Sequence, residues 1–157
     1  MGTKRDEDEP SAERLTRNWN ELLQELRVMQ TGVQILTGFL LTVPFSDRFT
    51  ALEDHQKVIY LGVLGGAVLT TALIVAPVSF HRILFRQGER DWIVEAANKC
   101  ARVGLLLFGL VSSTVVLLVF DIAVSTTAGL VAAAVSVTVS GTLWYGVPRV
   151  LRRRHLT

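Results

Sequence analysis

Long stretches of this sequence have no charged residue. Four blocks lack Asp, Glu, Lys and Arg altogether: Val28–Phe45, Val58–Phe80, Val103–Phe120 and Gly129–Val147. All 30 charged residues of the 157-residue chain therefore lie outside these blocks. A soluble domain distributes charge along its surface helices, and a disordered chain has few apolar runs. The uncharged blocks exclude both classes, as well as a free nucleic-acid binder, and they indicate a small protein with four membrane spans.

Cysteine, catalytic motifs and metal-binding spacings are also scarce. The single cysteine, Cys100, excludes an intrachain disulfide and with it a disulfide scaffold. The sequence has no Walker loop, no GxSxG, no HExxH and no Cys/His metal spacing. Its histidines, His55, His81 and His155, lie far apart in the predicted topology. We therefore expect a protein that is not an enzyme and that binds no cofactor and no metal.

The four uncharged blocks have the length and pattern of membrane-spanning helices. A hydrocarbon core about 30 Å thick needs about 20 apolar residues of helix, and the blocks have 18 to 23 residues. A membrane β-barrel needs alternating apolar and polar residues, whereas continuous runs such as Val115–Val119 do not alternate. Backbone amides in lipid must then bond within each segment. The sequence predicts an all-α integral membrane four-helix bundle over residues 11–148.

Positive charge is concentrated on one side of the predicted membrane. Of the 16 Lys and Arg residues, 14 lie in the N-terminal segment, the middle loop and the C-terminal tail, and the other two are Arg48 and Lys57. The positive-inside rule then places both termini in the cytoplasm of a multi-pass cell-membrane protein. Residues 149–157 form a basic cytoplasmic tail that lies beside anionic lipid, and we expect no nucleic-acid partner. Trp144 and Tyr145 predict an aromatic belt on this side.

The N-terminal segment changes character near its tenth residue. Residues 1–10 are charged and have no apolar periodicity, so they are predicted to be disordered. Ser11 is a suitable cap for a helix that starts near Ala12. An amphipathic stripe then leads into the first span, either as one long helix or with a break near Arg17–Trp19.

The other helix boundaries are predicted from caps, prolines and turns. The segment Thr50–Glu53 has the form of a capping box, which places the start of the second helix near Ala51. Pro77 predicts a kink close to the cytoplasmic end of that helix. The third helix is predicted from about Glu89 to the end of the third block, where Asp121 closes it.

Small residues recur at helical spacing in two spans. Gly62 and Gly66 form a GxxxG pattern, and Ala132, Ser136 and Ser140 form a ladder of small residues four apart. Small residues permit close approach of helix backbones in lipid. The patterns predict either packing within the bundle or a seam between copies of the chain.

The first span is the most polar of the four. Arg27, Gln30, Thr31, Gln34 and Gly38 share one face of its helix. A glutamine in hydrocarbon is costly unless it is hydrogen-bonded, so this face is expected to point into the bundle. It predicts either hydrogen bonds between helices or a polar pathway for an ion or proton.

Charged and polar residues also collect at the predicted cytoplasmic boundary. Besides Arg27, this group contains Glu21, Glu25, His81, Arg82, Asn98 and Arg102. Because partly desolvated charges need partners, we expect one of the two glutamates to form a salt bridge with Arg82 or Arg102. His81 is either a structural residue beside a helix C-terminus or a switch that titrates near neutral pH.

Three segments carry a resemblance to a known family. Asn20–Leu36, Leu41–Phe45 and Ala76–Arg82 resemble a family of small bacterial membrane proteins of unknown function, some of whose members have an automatic sodium:proton antiporter label. The resemblance covers about residues 18–118 and implies four spans. Exchangers generally use carboxylates within the membrane, and the four uncharged blocks contain none.

The sequence favours a non-enzymatic role. We expect a scaffold or accessory subunit in the lipid bilayer, which associates with itself as a homo-oligomer or with a larger membrane complex. The alternative is a transporter, or a subunit of a cation/proton antiporter, that uses the polar face of the first span. The two roles differ at the bilayer midplane, where a transporter needs a hydrated cavity between helices and an accessory protein does not.

Overall fold

The described part of the chain is entirely helical. The computed structural model describes residues 9–84 and 90–149, with side chains for residues 23–79 and 95–149 together with Arg17 and Glu21. Within these ranges the chain has no strand. The long helices are α1 (Glu9–Thr42), α3 (Asp54–Leu84), α4 (Arg90–Ala123) and α5 (Thr126–Gly141), and the short helix α2 is Asp47–Thr50.

Four helices are long and apolar enough to cross a membrane. The candidate spans are Leu23–Phe45, Asp54–Ser79, Glu95–Ala123 and Thr126–Arg149. They overlap the four uncharged blocks. These blocks are helical, as expected in hydrocarbon, where every backbone amide must bond within its own segment. The predicted all-α fold with four potential spans is confirmed.

The first helix is continuous from its start into its span. It begins at Glu9, slightly earlier than predicted, and it has no break near Arg17–Trp19. Residues 1–8 lie outside the described part of the chain. The helix ends in a single 3-10 turn, Val43–Phe45, whose proline, Pro44, occupies one of the first two positions of that turn. Proline is tolerated there because the first turn has no hydrogen-bonding partner for its missing N–H.

The capping box predicted at Thr50 is wrong. The Thr50 hydroxyl donates to the Asp47 carbonyl at 2.8 Å within the short helix α2. Glu53 is instead the N-cap of α3, and its N–H donates to the Gln56 side-chain oxygen at 3.1 Å. A capping box has two reciprocal hydrogen bonds. The structure has one of them, in which the side chain of the third helical residue, Gln56, accepts from the N–H of the N-cap residue. The helix therefore starts at Asp54 rather than Ala51.

The helices pack in a simple order across the bundle. Helices α3 and α4 form the central pair, and α1 packs on α3 with a smaller contact on α4. Helix α5 packs on α4 alone among the long helices that the structure describes. Its short connection, with Ser125 accepting a hydrogen bond from the Ala128 N–H at 3.3 Å, sets it antiparallel beside α4. The arrangement leaves one side of α1 and most of α5 without a neighbouring helix.

Two apolar clusters hold α1, α3 and α4 together. The larger one contains Leu40, Tyr60, Val63, Ala67, Val111 and Leu118, and the smaller one contains Leu26, Val33, Ile74 and Ala97. The Tyr60 hydroxyl donates to the Leu40 carbonyl, and the Phe49 ring meets the Tyr60 ring edge-on at 5.3 Å. The larger cluster lies towards the end of the bundle that carries Val43–Glu53 and the α4–α5 turn, which we call the first-loop end.

The aromatic pair near the end of α5 differs from the predicted belt. The Trp144 ring stacks on Phe108 of α4, with ring centres 6.5 Å apart and planes inclined by 15°. It also covers Gly109, where an added Cβ would lie 2.9 Å from the ring. A π-helical turn, Thr142–Gly146, carries the tryptophan to this position. The indole therefore faces α4, because the glycine leaves room for it.

Candidate functional site

A buried carboxylate lies at the first-loop end of the bundle. Asp121 is in the last turn of α4, and its side chain is only 2% exposed. The Gln56 side-chain N–H donates to Asp121 Oδ2 at 2.9 Å, so the first turn of α3 is tied to the last turn of α4. A buried ionised group needs such partners, because an isolated charge is strongly disfavoured away from water.

A histidine joins this carboxylate to the solvent. His55 Nε2 lies 3.2 Å from Asp121 Oδ2, and His55 Nδ1 lies 3.2 Å from Glu53 Oε2. The His55 side chain is 48% exposed, whereas the Glu53 side chain is 74% exposed. An imidazole donates from both ring nitrogens only in its protonated form. The three side chains thus form a chain from a buried to an exposed carboxylate, with the imidazole between them.

The local sequence explains how α3 presents two partners to one aspartate. His55 and Gln56 are consecutive residues in the first helical turn, where side chains fan out around the helix start. Gln56 uses both halves of its amide: the oxygen accepts from the Glu53 N–H, and the nitrogen donates to Asp121. One side chain therefore fixes both the start of α3 and its contact with α4.

The site is not evident from the sequence. Asp121 was expected only to close the third helix, and the histidines were expected to lie far apart. The available signal was the aspartate itself, since a carboxylate near a helix C-terminus opposes the helix dipole and needs a compensating partner. The partners lie 65 and 66 residues away in the chain, and no local pattern joins them.

The geometry of this cluster allows proton exchange through the imidazole. Among the residues that the structure describes, no group of three His, Cys, Asp or Glu side chains is placed to hold a metal ion. The half-exposed imidazole contacts the buried carboxylate directly, so it offers a route for a proton between that carboxylate and the solvent.

The polar face of α1 is oriented differently from the prediction. Arg27, Thr31, Gln34 and Gly38 are exposed, and Gln30 is half-buried. The expectation that this face points into the bundle is wrong for the four exposed members. Helix α1 packs through an apolar stripe instead, whose members are Leu26, Val33 and Leu40. Since this stripe lies about a third of a turn away, the polar side chains are directed out of the bundle.

The described side chains do not form the predicted salt-bridge network at the cytoplasmic boundary. Glu21, Glu25 and Arg102 are exposed, and Asn98 is half-buried. No salt bridge joins either glutamate to Arg102 among the described side chains, and the ion pair in this region is Lys99–Glu95 at 2.8 Å. The side chains of His81 and Arg82 lie outside the described residues, and so does the predicted salt bridge to Arg82.

The small-residue patterns have members on both sides of the helices. Gly66 packs against α4, where an added Cβ would lie 2.8 Å from Val111, whereas Gly62 is exposed with open space around it. In the other pattern, the hydroxyl of Ser136 lies 2.9 Å from that of Ser113 on α4. The remaining members, Ala132 and Ser140, are half-buried. Gly66 and Ser136 thus contribute to packing within the bundle.

Comparisons with known proteins place the chain in a family. No curated protein and no solved structure matches it. A family described as of unknown function, DUF6328, matches residues 8–148, which include all four candidate spans except the last residue of the fourth. The predicted resemblance to a family of unknown function is confirmed, and the match carries no antiporter description. The chain belongs to this family, DUF6328.

Proposed function

We propose that the protein is a non-enzymatic scaffold or accessory subunit of a complex in the cell membrane. It crosses the membrane four times with both termini in the cytoplasm. The four apolar helices support the spans, and the concentration of 14 of the 16 Lys and Arg residues on one side supports the orientation. The function is association with another membrane protein through the exposed polar side of α1.

The position of Gln34 carries this proposal. The residue is exposed and lies at the centre of the candidate span Leu23–Phe45, with eleven residues on either side. Hydrocarbon offers no hydrogen-bonding partner, so an uncovered amide there costs several kcal/mol. A polar side chain in this place indicates that a second protein covers it in the membrane.

Three threonines in the spans differ from Gln34. The hydroxyls of Thr31, Thr114 and Thr138 each donate to the backbone carbonyl four residues earlier, at 3.0, 2.8 and 2.7 Å. Each is satisfied within its own helix. The side-chain oxygen of a glutamine needs a donor, and the backbone N–H groups in a helix interior are already used. Gln34 therefore depends on a partner in a way that the threonines do not.

A photocross-linking experiment in cells tests the association. A photoreactive aromatic residue replaces Leu41, which lies on the Gln34 side of α1, or Phe39, which is also exposed but points away from it. We expect a protein adduct from position 41 that weakens in the Gln34→Leu background, and none from position 39. Equal adducts from both positions, or none from either, would contradict the proposal.

Reporter fusions test the orientation. Fusions after residue 10, within residues 87–90 and at the C-terminus are expected to report the cytoplasm, and a fusion within residues 46–51 the opposite side. The last site avoids His55 and Gln56, whose contacts with Asp121 an insertion would disturb. A C-terminus on the outside would mean an odd number of spans and would overturn the topology.

The buried Asp121 supports a second candidate function, a proton-coupled transporter. Asp121 lies two residues from the end of the candidate span Glu95–Ala123 and is reached through a half-exposed imidazole. An ionisable residue of this kind in a span is a candidate for a proton relay. Proteoliposomes with a pH-sensitive dye and imposed sodium or potassium gradients distinguish the two functions. A scaffold leaves the pH gradient unchanged, whereas a transporter dissipates it in the wild type and not in Asp121→Asn.

A further inference from the structure

The exposed side of α1 has a regular spacing of its own. Five members lie in α1 at intervals of four, three, four and three residues: Arg27, Thr31, Gln34, Gly38 and Leu41. The sixth, Phe45, follows four residues later, in the 3-10 turn Val43–Phe45. All six are exposed. Intervals of three and four that alternate in this way define the contact seam of two helices packed side by side. We call this set the α1 seam.

The seam is separate from the stripe by which α1 joins its own bundle. Leu26, Val33 and Leu40 are seven residues apart and are 3%, 1% and 6% exposed. The helix therefore has two faces with heptad spacing, and the bundle covers one of them. The second face has the geometry of a helix contact and has no neighbour within the described part of the chain.

We propose that a second copy of this chain covers the α1 seam. This inference rests on the proposed function and names the partner. Copies of one chain with a strong charge asymmetry enter the membrane in the same orientation, so their first helices run parallel. In a two-fold arrangement, each seam residue then faces its own counterpart, and Gln34 meets Gln34 of the second copy.

The chemistry of glutamine fits that meeting. A carboxamide carries both a donor and an acceptor, so two identical side chains satisfy each other across a two-fold axis. A carboxylate or a lysine would repel its counterpart there. The one charged seam residue, Arg27, lies only four residues from the end of the candidate span, where water and headgroups screen the repulsion.

The remaining seam residues permit close contact between the two helices and stabilise it. Gly38 lies one turn beyond Gln34, and an added Cβ there would meet nothing within 4 Å, so the two backbones can approach. Further along, Leu41 is 53% exposed and Phe45 is 89% exposed. The seam thus combines a self-complementary amide, an adjacent small residue and apolar side chains.

Disulfide cross-linking in membranes tests the proposal. In a Cys100→Ser background, a single cysteine replaces Gly38 or Leu41 in the seam. Phe39, on the far side of α1, and Gly62, which has equally open surroundings on α3, serve as matched controls. On mild oxidation we expect disulfide-linked dimers from positions 38 and 41 and not from 39 or 62.

Substitution of Gln34 tests the role of the amide. Gln34→Leu is expected to weaken dimerisation in detergent or bilayers about 5- to 30-fold, the effect of losing a hydrogen bond between membrane helices. Gln34→Asn keeps a carboxamide and is expected to retain most of the dimer. Equal dimerisation of the leucine variant and the wild type would show that the amides do not meet.

The outcomes separate this proposal from the function on which it rests. If positions 38 and 41 form no dimer but photocross-linking at position 41 yields an adduct with a different protein that requires Gln34, the second-copy proposal is overturned and the accessory function stands. Dimers from position 62 instead would place the contact on α3 and overturn the proposal as well. If neither method yields an adduct, both proposals fail.

Discussion

The central pair of helices and the two outer helices use membrane-spanning segments in different ways. In the most apolar 18-residue stretch of each span, 28% of the residues are buried in α3 and in α4, compared with 11% in α1. None is buried in that stretch of the fourth span, since the buried Gly129 of α5 lies outside it. The two central segments are also the more apolar, so burial and hydropathy fall together from the central pair to the outer helices. Helices α3 and α4 carry the contacts that hold the fold, while α1 and α5 display most of their surface.

The contacts within the central pair and between α4 and α5 also differ in kind. Helices α3 and α4 share buried apolar side chains and the polar contacts of Asp121. Helix α5 has one buried residue, Gly129, whose absent side chain lets the helix approach the α4 backbone. Lipid tails are as apolar as leucine side chains, so burial of such side chains between helices releases little free energy in a membrane. Close packing of helix backbones is therefore a main source of helix association there. The attachment of α5 should therefore be the most sensitive to added bulk.

The largest effect is expected from Gly129→Val. A Cβ at this position would lie 2.7 Å from the Leu117 carbonyl oxygen, and a backbone atom cannot move aside as a side chain can. We expect a loss of about 3 kcal/mol in the free energy of unfolding, or detachment of α5. The control is Gly141→Val in the same helix, where nothing lies within 4 Å of a Cβ. Thermal unfolding in mild detergent distinguishes them, and equal losses would contradict the close contact.

The next effect concerns the polar connection of the central pair. Asp121→Ala removes the acceptor of Gln56 and the partner of His55, and it is expected to lower the free energy of unfolding by about 1–3 kcal/mol. Asp47→Ala, at an exposed aspartate of the same loop region, should have little effect. In Gln56→Leu, the added loss from Asp121→Ala should be smaller, because the two residues act together. Strict additivity would show that the contact contributes nothing.

A smaller effect is expected where a single hydroxyl joins α3 to α1. Tyr60→Phe removes the hydrogen bond to the Leu40 carbonyl and is expected to cost about 1 kcal/mol. Tyr145→Phe is the matched control, because the Tyr145 hydroxyl is buried without a partner in the described part of the chain. That variant should be as stable as the wild type or more stable. Chemical unfolding monitored by near-UV circular dichroism measures both, and a greater loss at Tyr145 would contradict the assignment.

The sequence predicted the central features of the fold because charge is absent from whole segments. That pattern reports which residues lie in hydrocarbon, and it requires no knowledge of neighbouring helices. The side of α1 predicted to meet the bundle was wrong, since Val33 and Gln34 are adjacent and the positions of α3 and α4 decide between them. The contact of His55 and Gln56 with Asp121 was missed for the same reason, because it depends on how two distant helix ends meet.

The smallest effect on the folded chain is expected from Gln34→Leu. The side chain is exposed, and leucine and glutamine have similar helix propensities, so the free energy of unfolding of the monomer in detergent should change by less than about 0.5 kcal/mol. Val33→Ala, at the neighbouring buried position, should cost roughly 1–2 kcal/mol through lost contacts and a cavity. The glutamine variant should instead lose association, which is measured by the monomer–dimer equilibrium. If Gln34→Leu destabilised the monomer as much as Val33→Ala, the glutamine would support the bundle. The polar face of α1 would then stabilise the fold, as the polar contacts between α3 and α4 do, and would not be reserved for association.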